Sequence, residues 1–163
     1  MTNEATEKPD PRACALARHI LWLSYDNAPE PYVYDSGTNS FQHDGTGASV
    51  RFDAVVEALA AELYEDGEGL YGEGVSYDTC GGEFAVLTDD EADLAWDAAL
   101  DSYLDDCVLP DLPGTLQHYF DRDAWKRDAR HDGRGHCLSP YDGTEYEERD
   151  PDTGECFYIY RTS

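Results

Sequence analysis

TDDEADLAWDAALDSYLDDC, residues 88–107, reads as a helix from its first residue. Thr88 is a good N-cap, and Glu91 stands three positions on, where a capping box needs it. Trp96, Ala99, Leu100, Tyr103 and Cys107 fall on one face, the expected core side. Asp93, Asp97, Asp101 and Asp105 step four residues at a time along the other, with Asp90 in the same stripe. On a helix they lie about 6 Å apart. With Asp89, Glu91 and Asp106 the segment holds eight carboxylates over about 27 Å, one per roughly 3.4 Å. One strand of duplex DNA carries a charge about every 3.4 Å of axis. Solvated helix faces usually alternate acids with lysines, because like charges at this spacing destabilise a helix. Aspartate is also a poor residue for a helix interior. The stripe therefore reads as a surface for a cationic partner, against the plainer reading of a solvated face. Helical spacing lacks the loop geometry that calcium needs.

The surrounding charge sharpens the point. Between Phe52 and Asp121 there are nineteen carboxylates and no lysine or arginine, which is most of the formal net charge of −25. A block so one-sided repels itself, and a cationic partner would relieve it. Many of the most cationic clefts in a cell hold nucleic acid. Supporting charges are expected from Asp53, Glu57, Glu62, Asp66 and Asp89. A bland explanation competes with this one. The chain has two lysines against nine arginines, as halophile or GC-rich composition would produce, but such acidity should be spread over every surface.

The chain has 163 residues, 40% of them hydrophobic, with twelve Tyr, five Phe and three Trp. That supports a folded core and one domain, or two or three very small modules. Five cysteines at irregular spacing, no secretory leader pattern and no membrane-length apolar run read as a cytoplasmic protein with reduced thiols. The expected fold class is α+β: small modules with short antiparallel strands and three to four helices, an elongated arrangement among the forms open to them. Residues 1–10 read as a disordered tail, 11–87 as an N-terminal module and 88–163 as a C-terminal one. Helices are expected from Arg12 to Ser24, from about Ser49 to Tyr64, from Thr88 to Asp106 or Cys107, and from about Asp121 to His131 with Gly133 closing it. Tyr32–Tyr34 and Phe84–Leu87 suggest strands. Residues 35–49 read as a loop or loose hairpin, and the glycine-rich 65–82 as irregular. HCLSPYDG (136–143) and TEYEERDPDTGECFYIYR (144–161) read as strands, the latter with a hairpin turn at Asp150–Gly154.

Downstream of the acidic helix, PGTLQHYFDRDAWKRDA carries Pro113, Leu116, Gln117, Tyr119, Asp121, Ala124, Arg127 and Asp128. This skeleton resembles the C-terminal signature of ArdA-type antirestriction proteins, and ALDSYLDD (99–106) resembles the acidic helix that precedes it. The resemblance spans about residues 98–131. It implies a DNA mimic from a phage, plasmid or other mobile element, an elongated dimer of α/β modules that occupies the DNA groove of type I restriction-modification enzymes. The motif itself looks structural. Tyr119, Phe120 and Trp125 are expected to anchor the module, with Arg127 and Asp128 capping or pairing within it. Arg122, Lys126 and Arg130 form a basic row at four-residue steps, open to phosphate, to a neighbouring acidic surface or second subunit, or to salt bridges within the chain.

Other chemistry finds little footing. His131, His136 and Cys137, with Cys107 or Cys156, match no zinc spacing. Cys80 in DTCGGEF has carboxylates nearby in sequence and no cation to lower its pKa. Gly45 and Gly47 lack the lysine of a phosphate loop. No acid and base stand out as a catalytic pair. The expectation is a non-enzyme with no cofactor and no metal. It would occupy the DNA channel of a host defence enzyme without binding nucleic acid or membrane itself, and a homodimer stays open. Alternatives are an anti-CRISPR protein using the same face, an acidic adaptor for a basic protein, and a halophile protein of unrelated function.

Overall fold

Residues 7–163 are described by a computed structural model, in which the chain is α+β and divides into two units. The first takes the chain up to Tyr64 together with Glu148–Phe157, and the second takes Glu65–Glu147 with Tyr158–Ser163. The division therefore falls at residue 64 and not at 87, and the tip of the terminal hairpin belongs with the N-terminal helices. Residues 1–6 of the expected tail lie outside the described residues.

The first unit is built on two helices. α1 (Pro11–Leu23) begins where Asp10 accepts the Arg12 amide and Pro11 supplies a helical φ. It buries Ala13, Leu16, Ala17 and Leu21. α2 (Phe52–Glu62) buries Val55, Val56, Leu59 and Ala60. β1 (Tyr32–Asp35), β2 (Ser40–His43) and β3 (Ser49–Val50) form an antiparallel sheet in that order. The turn-rich run is thus a true hairpin. Asp35 holds it by accepting from the Gly37 amide (2.8 Å), the Thr38 hydroxyl (3.0 Å) and Gln42 (2.8 Å). Those bonds, the Gly37 amide first, hold the Asp35 carboxyl below its usual range. Tyr25 stacks on Tyr34 at 4.1 Å, and Phe41 meets Phe52 at 5.9 Å.

The second unit centres on a sheet ordered β4-β5-β6-β8-β7, from β4 (Tyr64–Leu70), β5 (Glu73–Thr79), β6 (Gly82–Leu87), β7 (Tyr146–Arg149) and β8 (Cys156–Arg161). β4 and β5 occupy the stretch read as irregular. Their two-residue connection, Tyr71-Gly72, has φ of 53° and 81°, the sign that a tight primed hairpin turn requires. α3 (Asp89–Tyr103) opens with the expected capping box of Thr88 and Glu91. It presents Ala92, Ala95 and Ala99 to Ala85, Leu87, Leu138 and Tyr160, and these small side chains let the helix pack close. α3 ends in a π-helical turn, Leu104–Val108, and is followed by α4 (Gly114–Gln117), α5 (Arg122–Ala129) and α6 (Arg134–Leu138).

Two expectations change here. Tyr103 is 57% exposed and Cys107 is also exposed, not on the core side. The buried face of α3 runs through Ala92, Ala95, Ala99, Leu100 and Leu104, one position off Tyr103, and the wider π turn that begins at Leu104 breaks the 3.6-residue period before Cys107. His136–Leu138, read as strand, belongs to α6. Gly133 (φ 84°) ends the preceding 3-10 turn, and Leu138 is buried in the α3 cluster. α6 lies close to the following loop, since a Cβ on Gly135 would sit 2.7 Å from the Glu145 nitrogen and 2.7 Å from the Gly143 carbonyl. Gly135→Ala is accordingly expected to lower stability by about 1–3 kcal/mol, the usual range for overpacking against rigid neighbours, as read by urea unfolding.

Candidate partner-binding surface

α5 starts where Asp121 accepts the Ala124 amide at 2.9 Å, and it buries none of its residues fully. Its Arg122 and Lys126, with Arg130 just beyond, step four residues at a time, the same step as the aspartates of α3. The two rows meet. Arg122 reaches Asp105 at 2.7 Å and Asp101 at 3.3 Å. Lys126 reaches Asp97 at 2.6 Å and Asp101 at 3.1 Å. Arg130 reaches Asp97 at 2.5 Å and lies over the Trp96 ring at 5.3 Å. Arg134, from α6, continues the series with Asp89 at 2.8 Å, Asp93 at 3.1 Å and Glu145 at 2.8 Å.

The stripe is therefore not a free row of anions. Six carboxylates and four cations alternate along it, and Lys126 and Arg134 are only 13% and 12% exposed. Arg122, Lys126 and Arg134 are each shared by carboxylates one turn apart, and Arg130 adds a second cation to Asp97, which offsets the repulsion that α3 would otherwise suffer. Of the readings open for the basic row, pairing within the chain is the one adopted. Burial raises the Asp101 carboxyl, but the hydrogen bonds from Lys126 and Arg122 outweigh it and hold the group below its ordinary range. Burial likewise opposes the charge of Arg134, and its bonds to Glu145 and Asp89 more than restore it. The buried Tyr160 hydroxyl donates to Glu145, and burial pushes its own ionisation far up.

The other expected site residues fall in different places. Asp90 is exposed outside the ladder, and Asp106 is exposed and accepts from the Ser102 hydroxyl at 3.2 Å. Asp66 lies on the edge strand β4 beside Glu65 and Glu68, all exposed and without a cation among the described residues. An acidic edge also discourages pairing with a foreign strand. Asp53, Glu57 and Glu62 belong to the first unit, where Asp53 pairs with Arg51 at 3.0 Å.

The motif residues are structural in part. Pro113 precedes α4, and Gln117 donates to the Leu109 (2.9 Å) and Leu112 (3.2 Å) carbonyls, tying the turn together. Ala124 is half-buried, while Leu116 and Tyr119 are exposed, Tyr119 by 77%, so Tyr119 anchors no core. Phe120 is half-buried. Trp125 is held by stacking on Tyr103 at 6.1 Å with the rings 11° apart. Arg127 and Asp128 are exposed, and neither forms an ion pair among the described residues. The short loop that precedes α5 and the lack of any buried residue on that helix leave this segment on the surface.

No group of three or more His, Cys, Asp or Glu side chains among the described residues is placed to hold a metal ion. His131, His136, Cys137 and Cys107 lie in the second unit, and Cys156 in the first. All five cysteines are free thiols. Arg161, distant in sequence, lies beside the Cys80 turn and donates to the Gly81 carbonyl at 2.6 Å. No helix among the described residues is long and apolar enough to cross a membrane.

Neither a family model, nor a curated protein, nor a solved structure matches this chain.

Reversal of the ladder should be felt as instability. Asp97→Lys with Asp101→Lys sets two new cations against Arg122, Lys126 and Arg130, and a drop in Tm with loss of α5 amide protection is expected. An unchanged Tm would remove the ladder from the fold's support. The Asp101 carboxyl is depressed in the folded state, so its contribution is present above the unfolded value of about 3.9 and is lost as pH falls through the lower folded value. The stability gap between the wild type and Asp101→Asn should therefore shrink between pH 5 and pH 3, measured by urea titration at each pH.

Proposed function

We propose that the chain is a non-enzymatic inhibitor that occupies a cationic, nucleic-acid-binding cleft of another protein. The resemblance in the Pro113–Asp128 segment points to a host defence enzyme of the restriction-modification type as the target, met in the cytoplasm of a host carrying a mobile element. A CRISPR effector, which also holds nucleic acid in a basic channel, fits the same chemistry.

One observation carries this reading. In the second unit most cations are committed inward, to the ladder or to backbone carbonyls, and much of the carboxylate surplus faces out. Glu65, Asp66, Glu68, Asp90, Asp111, Asp123, Asp128 and Asp132 are exposed and meet no cation among the described residues. These acids, and not the paired carboxylates of the ladder, are the charges available to a partner. They would stand in for phosphates against lysine and arginine side chains, so that the inhibitor and the nucleic acid exclude each other. Association is fast at low ionic strength and weakens with salt, as long-range steering requires.

The internal pairing of α3 also favours a second reading, an acidic adaptor for a basic protein with no nucleic-acid competition. The regular row that best matched phosphate spacing is not free, and scattered acids suit a less regular partner.

Displacement separates the two. A protein captured from host lysate should be released by duplex DNA in a dose-dependent way, and release by salt alone, with DNA inert, would favour the adaptor. Glu65→Gln, Asp66→Asn and Glu68→Gln together should slow association about threefold to tenfold at low salt with Tm unchanged. The free protein should give no gel shift with DNA. Its circular dichroism should be native in dilute buffer, whereas a halophile protein would need molar salt.

A further inference from the structure

The second unit contains a cavity of about 520 Å³ between α3, α5, α6 and the β4–β5 turn. Tyr71, Tyr103 and Trp125 line it, with Asp106, Asp132 and His136. Tyr103 and Trp125 lie nearly parallel, 11° apart. Tyr71 adopts φ 53° at the hairpin turn, a backbone state in which Asn or Gly is the usual choice.

The rings of this cavity differ from others in the same unit. Arg130 lies over Trp96 at 5.3 Å, Arg134 over Tyr158 at 4.4 Å and Arg161 over Tyr141 at 3.7 Å. No cation of the chain lies over Tyr71, Tyr103 or Trp125 among the described residues. Asp132 meets no cation either, and Asp106 has only the Ser102 hydroxyl. Aromatic faces attract cations, and carboxylates beside them select that sign. The same carboxylates repel a phosphate, which argues against a nucleotide despite the stacking surfaces.

We infer that this cavity receives an arginine side chain of a basic protein partner, its guanidinium on the Tyr103–Trp125 wall and its N–H donors toward Asp106 and Asp132. A planar guanidinium stacks on rings and forks to carboxylates, whereas an ammonium is a point charge without a face. The inference rests on the proposed cationic protein partner and supplies the short-range contact that surplus charge lacks.

The test uses the full chain and the indole N–H resonance of Trp125, assigned with Trp125→Phe. The probes are the peptide acetyl-Gly-Ser-Arg-Ser-Gly-amide and its citrulline and lysine counterparts at physiological salt. The arginine peptide should shift the resonance saturably, and citrulline, isosteric but neutral, should bind at least about tenfold more weakly. Tyr103→Leu, and separately Asp106→Asn with Asp132→Asn, should each weaken the arginine peptide about tenfold while amide resonances away from the substituted positions and the Tyr103–Trp125 contact stay in place. All three changed residues are exposed, and Glu65→Gln with Asp66→Asn and Glu68→Gln should leave peptide binding unaltered. Citrulline or lysine binding as tightly as arginine, or a shift that never saturates, would overturn the assignment. So would equal weakening by the β4 substitutions. Partner release by DNA without arginine-peptide binding would sink the cavity and leave the proposed function standing. Peptide binding without DNA release would do the reverse.

Discussion

The alternation of carboxylate and cation between α3 and the α5–α6 segment is the constraint on which the second unit depends. α3 has no cation of its own, and aspartates four residues apart repel along it. α5 has no buried residue with which to dock. Each is poorly supported alone, and each supplies what the other lacks. Single exposed ion pairs contribute only about 0.2–1 kcal/mol, but here three of the four cations are shared between carboxylates and two, Lys126 and Arg134, are mostly covered. The Tyr103–Trp125 stack adds an apolar contact to the charged one.

This arrangement sorts the charges of the unit. Most cations are held within it, so a large excess of carboxylates remains on the outside without internal balance. An excess of that kind acts at long range, raising encounter rates with basic surfaces, but it does not discriminate well among them. Discrimination needs shape and short-range contacts. The aromatic cavity beside Asp106 and Asp132 is where the unit offers them. Steering by surface charge and reading by a pocket are then separate properties of one unit, and different residues carry each.

Much of the helical framework was legible in the chain. Thr88 and Glu91 announced the start of α3, apolar spacing placed α1 and α2, and Asp150–Gly154 marked the terminal turn. The misses share a physical cause. β4 and β5 are rich in glycine and acid, with little of the branched and aromatic content that signals strands, and they form because neighbouring strands and a two-residue turn hold them. α6 has five residues, too few to show a period. A regular helix puts Cys107 on the core side, and a single π turn moves it to solvent.

Composition and spacing alone determined that this chain is strongly anionic, that one helix bears a four-residue row of aspartates, and that a shorter helix bears a matching row of cations. They left undecided whether those rows face a partner, the solvent or each other. The packing of Ala92, Ala95 and Ala99 on the sheet and the return of the chain through α5 and α6 decided it. Ion pairing depends on distances of a few ångströms between segments far apart in sequence, and only the folded backbone sets those distances.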